Sequence, residues 1–256
     1  GKSLYDLYKQ AFTPWEWHKP IMQRATELGM VCFSSPFDES AVDFLEEINV
    51  PAYKIASFEN NHLPLISKAA STGKPIIIST GMASEAEIHE AVSSARKAGC
   101  KNLILLKCTS TYPASSKNSN ILTIPHMQKM FECEVGLSDH TMGIGSSIAA
   151  VAHGASVIEK HFTLSRDDGG VDSIFSLEPE EFKALVVETS HAFQSLGSVK
   201  YGVQEQEKKS LLFRRSLYVV ENVSAGEPLT IKNMRCIRPG LGLSPKYFDF
   251  LLGKKV

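Results

Sequence analysis

An α/β fold of TIM-barrel type, followed by a small β module, is the architecture this sequence predicts. Three observations carry that expectation. Up to about residue 198, short β-rich runs alternate with segments of helical periodicity at a spacing of about 20–30 residues, the signature of βα units on a parallel sheet. No glycine fingerprint occupies the first βα turn, which a doubly wound dinucleotide-binding sheet would carry. Every β-rich run also ends in polar residues, as expected where an active site is assembled from strand ends at one face of a barrel.

The elements follow in order. Strands are predicted at 30–35, 52–57, 75–80, 103–107, 134–137 and 157–159, and helices at 15–28, 40–48, 63–72, 84–98, 146–155 and 178–196. Gly29, Gly73, Gly99 and Gly154 stand where a left-handed residue closes a helix, and Ser84 with Glu87 forms a capping box. Six units can be counted where a closed (β/α)8 barrel needs eight, so the pattern predicts two further strands upstream of Gly1. Residues 1–198 form the predicted partial barrel and 199–212 a polar linker. Residues 213–256 form a truncated β module with a turn at Ala225-Gly226-Glu227-Pro228 and too few strands to close a core.

Composition narrows the classes of function. The 256 residues carry 27 Lys and Arg against 28 Asp and Glu, so no basic field invites nucleic acid or an anionic membrane. No apolar run approaches the roughly 20 residues of a spanning helix. The five cysteines form no CxxC pair and predict free thiols in a reducing cytoplasm.

The strand ends supply the candidate chemistry. His140 and His161 close consecutive strands, so two imidazoles converge at the barrel mouth. They suit either an open divalent site (Mn²⁺, Mg²⁺ or Zn²⁺ polarising a carbonyl) or a pair of hydrogen-bonded rim histidines. Lys54 ends another strand, with Ser57 and Glu59 just beyond. With Ser35, Ser79, Ser110 and Ser138 at neighbouring ends, it would form an anion site for phosphate or carboxylate. Lys107 and Lys160 offer Schiff-base chemistry instead. Gly143-Ile144-Gly145 reads as a plain helix entry more than a phosphate nest. Asp172 follows Gly169-Gly170 in a loop that suits either an extended active-site segment or a solvated acidic turn. Trp15 and Trp17 suit sugar stacking or core packing.

Five of these motifs in order resemble the sialic acid synthase family: Phe33-Ser34-Ser35-Pro36-Phe37, Tyr53-Lys54-Ile55-Ala56-Ser57, Ser79-Thr80-Gly81-Met82, Gly136-Leu137-Ser138-Asp139-His140-Thr141 and Glu159-Lys160-His161-Phe162-Thr163. Leu4-Tyr5-Asp6-Leu7-Tyr8, Thr13 through His18, and the stretch from Gly169 to Pro179 are similar to its pseudaminic branch. The resemblance implies a TIM barrel with an antifreeze-like (SAF) module in a domain-swapped homodimer. It implies condensation of phosphoenolpyruvate with a 2,4-diacetamido-2,4,6-trideoxy hexose, giving a nine-carbon 2-keto acid and phosphate; neuraminate and legionaminate synthesis are the alternatives within the family. It also assigns roles. His140 and His161 would hold a divalent metal, Mn²⁺ ahead of Mg²⁺, Co²⁺ or Zn²⁺. Ser35, Lys54, Ser57, Ser79, Ser110 and Ser138 would surround phosphoenolpyruvate, Lys54 and Glu59 would be catalytic, and Tyr112 and Asp172 would touch the sugar. Phe213 and Arg238 would reach the sugar site of the other subunit. Ser110 departs from the sialic acid synthases, where asparagine is expected.

Two rivals remain at this level: a metal-independent Schiff-base aldolase using Lys107 or Lys54, and a non-catalytic sugar-binding protein working through its small β module.

Overall fold

The computed structural model describes residues 3–256, which divide into two compact units, one ending at Gly197 and one running from Ser198 to Val256. In the first, strands β1 (Tyr53–Ile55), β2 (Ile76–Ser79), β3 (Leu103–Cys108), β4 (Glu134–Asp139) and β5 (Ile158–Lys160) form one parallel sheet in sequential order. That order, with a helix after each strand, is the βα succession the spacing predicts.

Helices α1 (Leu4–Ala11), α2 (Trp15–Glu27) and α3 (Glu39–Glu47) precede β1. Then α4 (Leu63–Ser71), α5 (Glu85–Lys97), α6 (Thr123–Phe131), α7 (Gly145–Ala152) and α8 (Pro179–Leu196) follow β1 to β5 in turn. The capping box at Ser84 is formed, with the Glu87 side chain accepting from the Ser84 backbone. Helix α6 escapes the sequence reading. It begins without a side-chain cap, carries Pro125 in its first turn and ends on a left-handed Glu132, not on a glycine.

The predicted strand at 30–35 is a correction. Only one bridge forms there, Ser34 beside Tyr53, and Met30 and Val31 stay exposed. A ladder needs successive paired residues, and the β-rich composition of the run does not supply them.

Side chains alternate across each strand. Tyr53, Ile55, Ile76, Ile78, Leu103, Leu105, Val135 and Leu137 face the helices and join Leu65, Ile66, Val92, Met127 and Phe131 in the main core. On the opposite face Leu106 and Gly136 lie side by side in the register, with Lys54, Ser79, Cys108, Ser138 and Glu159 nearer the C-terminal ends. Gly136 is required by close approach: a Cβ there would meet the Val157 carbonyl oxygen at 2.2 Å and Leu106 Cδ2 at 2.8 Å.

In the second unit, β6 (Ser216–Val219) pairs antiparallel with β7 (Met234–Ile237), and a short helix α9 (Phe248–Leu251) follows. Leu217 and Met234 form its small buried centre. The stretch predicted as a polar linker holds a 3₁₀ run over Glu205–Phe213. It is opened by a Gln204–Glu207 capping box that the polar composition concealed.

Candidate functional site

Register brings the site together. Cys108 pairs with Ser138 and Ser138 with Glu159, so three polar residues on one face lie at the same level of β3, β4 and β5. His140 and His161 stand two residues beyond Ser138 and Glu159, hence on the same face and one step nearer the mouth. Their ring centroids are 5.2 Å apart.

On the other side of this face lies Lys54. Its Nζ donates to Ser79 Oγ at 2.7 Å and to the Ile55 carbonyl at 3.3 Å, and sits 3.4 Å from Glu159 Oε2. Ser138 Oγ donates to the other oxygen of Glu159 at 2.6 Å. Ser57 and Ser110 close in around Gly81, whose N–H donates to Ser57 Oγ. A Cβ on Gly81 would lie 2.0 Å from Ser110 Oγ and 2.7 Å from Ser57 Oγ, so only glycine lets these hydroxyls converge. Ser35 follows the Ser34 bridge at the sheet edge, next to Lys54, whose N–H donates to the Ser34 carbonyl. Glu59 ends a 3₁₀ turn after β1, with Oε2 buried and unpartnered. Burial pushes its carboxyl up, against the opposing pull of Lys54 and His62.

The imidazoles have distinct settings. His140 is buried, and its Nδ1 lies 3.2 Å from the Thr109 carbonyl oxygen, which can only accept, so Nδ1 carries a proton and, in the neutral ring, Nε2 keeps its lone pair for a ligand. Burial pushes the His140 pKa down, but the hydrogen bond and charge of Cys108 outweigh it, and the net shift is upward. Burial also raises the Cys108 thiol, yet hydrogen bonding with His140, Ser57 and Ser110 brings it down to about 7. His161 is shifted down, first by burial and then by the neighbouring His140. Its Nδ1 is 3.5 Å from Asp172 Oδ2.

The loop after β5 therefore returns to the site. Arg166 anchors it by donating to Glu181 on α8 and to the Ser176 carbonyl. Phe175 is thereby wedged beside both imidazoles, 4.9 Å from the His161 ring and 6.2 Å from that of His140. Tyr112 covers the same cluster, its ring 4.5 Å from His140.

Two imidazoles fit a divalent ion that keeps most of its positions for water and substrate oxygens. Among the described residues no group of three or more His, Cys, Asp and Glu converges on one point, so a closed structural metal site is not what this geometry offers.

The first unit thus collects Ser35, Lys54, Ser57, Glu59, Ser79, Ser110, Tyr112, Ser138, His140, His161 and Asp172 at one end of one sheet. Phe213 and Arg238 belong to the second unit, where Arg238 Nε donates to the Phe213 carbonyl at 2.7 Å. Sequence reasoning missed Glu159, Cys108 and Phe175. The first two were legible as period-2 partners of His161 and Ser110; nothing local marks Phe175. Lys160 is committed elsewhere, to a fully buried pair with Asp139 at 2.9 Å, which removes it as a Schiff-base lysine. Trp15 stacks on Phe44 with ring centroids 4.4 Å apart, yet Trp15 and Trp17 both stay exposed, so neither joins the core.

Residues 1–201 match the NeuB family. A pseudaminic acid synthase of Campylobacter jejuni is 42% identical over 254 residues, covering 99% of this chain and 74% of the relative. One from Helicobacter pylori is 41% identical over 255 residues, covering 99% and 75%. Among solved structures, an N-acetylneuraminic acid synthetase of Leptospira borgpetersenii, crystallised with citrate, superposes with a TM-score of 0.75 at 36% identity, over 80% of this chain and 72% of that one.

Proposed function

The chain belongs to the NeuB family, and on that premise we propose that it catalyses the pseudaminic acid synthase reaction, joining phosphoenolpyruvate to a 2,4-diacetamido-2,4,6-trideoxy hexose. One observation carries the reading. A buried lysine ringed by hydroxyls and a pair of imidazoles share one face of the sheet, so an anion and a carbonyl can be held side by side.

C3 of the enol phosphate bonds to C1 of the open-chain sugar, and the aldehyde oxygen takes a proton. Water adds at C2 and loses one proton; the bond from C2 to the phosphate oxygen then breaks, the C2 hydroxyl gives its remaining proton to the departing phosphate, and C2 becomes the keto carbon. Lys54, with Ser35, Ser57, Ser79, Ser110 and Ser138, holds the phosphate and carboxylate through charge-assisted hydrogen bonds already in place before the reaction. Glu59 exchanges protons with the reacting oxygens, and its burial-raised pKa suits a group that must carry a proton nearer neutrality. Tyr112 and Asp172 flank the sugar. His140 and His161 would hold a divalent ion, which when bound supplies Lewis-acid polarisation of the C1 carbonyl.

The same reading completes the first unit as a TIM barrel and makes the second an SAF module. In a domain-swapped homodimer, Phe213 and Arg238 would serve the sugar site of the other subunit. Carbon-13 enol phosphate with the diacetamido sugar should yield a labelled nine-carbon keto acid and one equivalent of phosphate. EDTA treatment should abolish the rate, and Mn²⁺ should restore it. Undiminished rate after stripping would remove the metal from the reading. Covalent mass gained on borohydride treatment with pyruvate would replace the reading with an aldolase. Mixed dimers of Arg238→Ala and His161→Ala that recover no rate, with subunit exchange shown independently, would remove the shared site.

A further inference from the structure

The phosphate end of the site contains a carboxylate that the proposed reaction does not use. Glu159 bridges two groups meant for an anion: Lys54 Nζ at 3.4 Å from one oxygen and Ser138 Oγ at 2.6 Å from the other. A second negative charge beside a phosphate is unfavourable, so its placement needs an account.

We propose that Glu159 is a positioning residue that occupies the anion's place at Lys54 and Ser138 in the free protein and moves aside when a phosphate-bearing substrate arrives. The inference rests on reading this as a phosphate site. Burial decides which partner moves. The Lys54 side chain is 9% exposed and held by Ser79, whereas the Glu159 side chain is 39% exposed and free to turn toward water. A buried ammonium without a counter-charge would be strongly destabilising. Glu159 supplies that charge while the site is empty, and one rotation then releases both the lysine and the Ser138 hydroxyl to the incoming phosphate. The carboxylate therefore competes with substrate and sets its affinity.

Glu159→Gln tests this, because it keeps an acceptor for Ser138 and removes only the charge. The Michaelis constant for enol phosphate should fall roughly threefold to tenfold, the range expected of a partly exposed charge pair, while that for the sugar stays put. Inorganic phosphate, titrated calorimetrically, should bind tighter by the same factor. Glu159→Ala should shift phosphate affinity in the same direction. Weaker phosphate binding in both variants would show Glu159 supporting the site, not competing for it, and would overturn the proposal. So would unchanged affinity. Some loss of stability is expected in both variants, because Lys54 then lacks its counter-charge, and saturating inorganic phosphate should restore it; a loss that phosphate does not restore would make the pair part of the core and would overturn the proposal. The phosphate titration does not depend on turnover. A wild-type protein that makes no keto acid, yet shows tighter phosphate binding on Glu159→Gln, would remove the synthase reading and leave this one standing.

Discussion

The two faces of the parallel sheet divide the labour of the molecule. On the helix side, residues such as Tyr53, Ile55, Ile76 and Leu105 are completely buried and aliphatic or aromatic. On the other side the same strands present Lys54, Ser79, Ser138 and Glu159, joined by hydrogen bonds and one ion pair, and Cys108, whose sulfur lies within hydrogen-bond distance of Ser110 and His140. Stability comes from apolar area removed from water, which is indifferent to direction. Chemistry comes from polar groups whose distances matter to a few tenths of an ångström. Alternation along a strand lets one backbone serve both without mixing them.

Substitutions on the two faces should therefore separate stability from activity. The largest effect is expected at Ile78, buried among the helices: Ile78→Ala should lower unfolding free energy by about 2–5 kcal/mol in a denaturant titration. If it instead left stability untouched while abolishing turnover, the division of faces would be wrong. Next, Lys54→Met on the polar face should cut turnover about a hundredfold, roughly 2.7 kcal/mol of transition-state stabilisation. It should leave the unfolding midpoint close to wild type, because Glu159 can turn to solvent once its partner is gone. A large drop in midpoint with little change in rate would reverse the assignment.

The smallest effect sharpens the comparison, because one group on the helix side does titrate. Tyr53 is fully buried, and its hydroxyl donates to Glu46 at 2.5 Å. Burial pushes the Glu46 carboxyl up, but hydrogen bonds from Lys74 and Tyr53 outweigh it and hold it below its ordinary 4.5. A depressed native pKa gives stability that is present above the unfolded value and lost as pH falls through the native one. Glu46→Gln should therefore cost less than about 1 kcal/mol at neutral pH, because solvent screens the partly exposed carboxylate, with the difference from wild type vanishing as pH drops below 4.5 through the lower native pKa. Thermal melts across that range measure it, and a difference that grew on acidification would contradict the sign.

How much of this was readable in advance follows from the range of each interaction. The βα succession, the Ser84 capping box and the polar strand ends are local patterns, legible because periodicity and capping act within a few residues. His140 and His161 could be paired because consecutive strands of a parallel sheet lie side by side. Local signals also misled. The β-rich run at 30–35 forms only the Ser34 bridge, and the uncapped α6 went unread.

The sequence by itself determined the succession of the five paired strands, the aliphatic face that packs the core, and the residue types at the site: a lysine, a ring of serines and two histidines. Only the tertiary structure decided which of them touch. The register that sets Glu159 beside Ser138, the reach that brings it to Lys54, and the Arg166 anchor that carries Asp172 and Phe175 back to the imidazoles are long-range pairings. They depend on how strands slide and loops close in space, where a shift of one residue would turn every side chain to the opposite face.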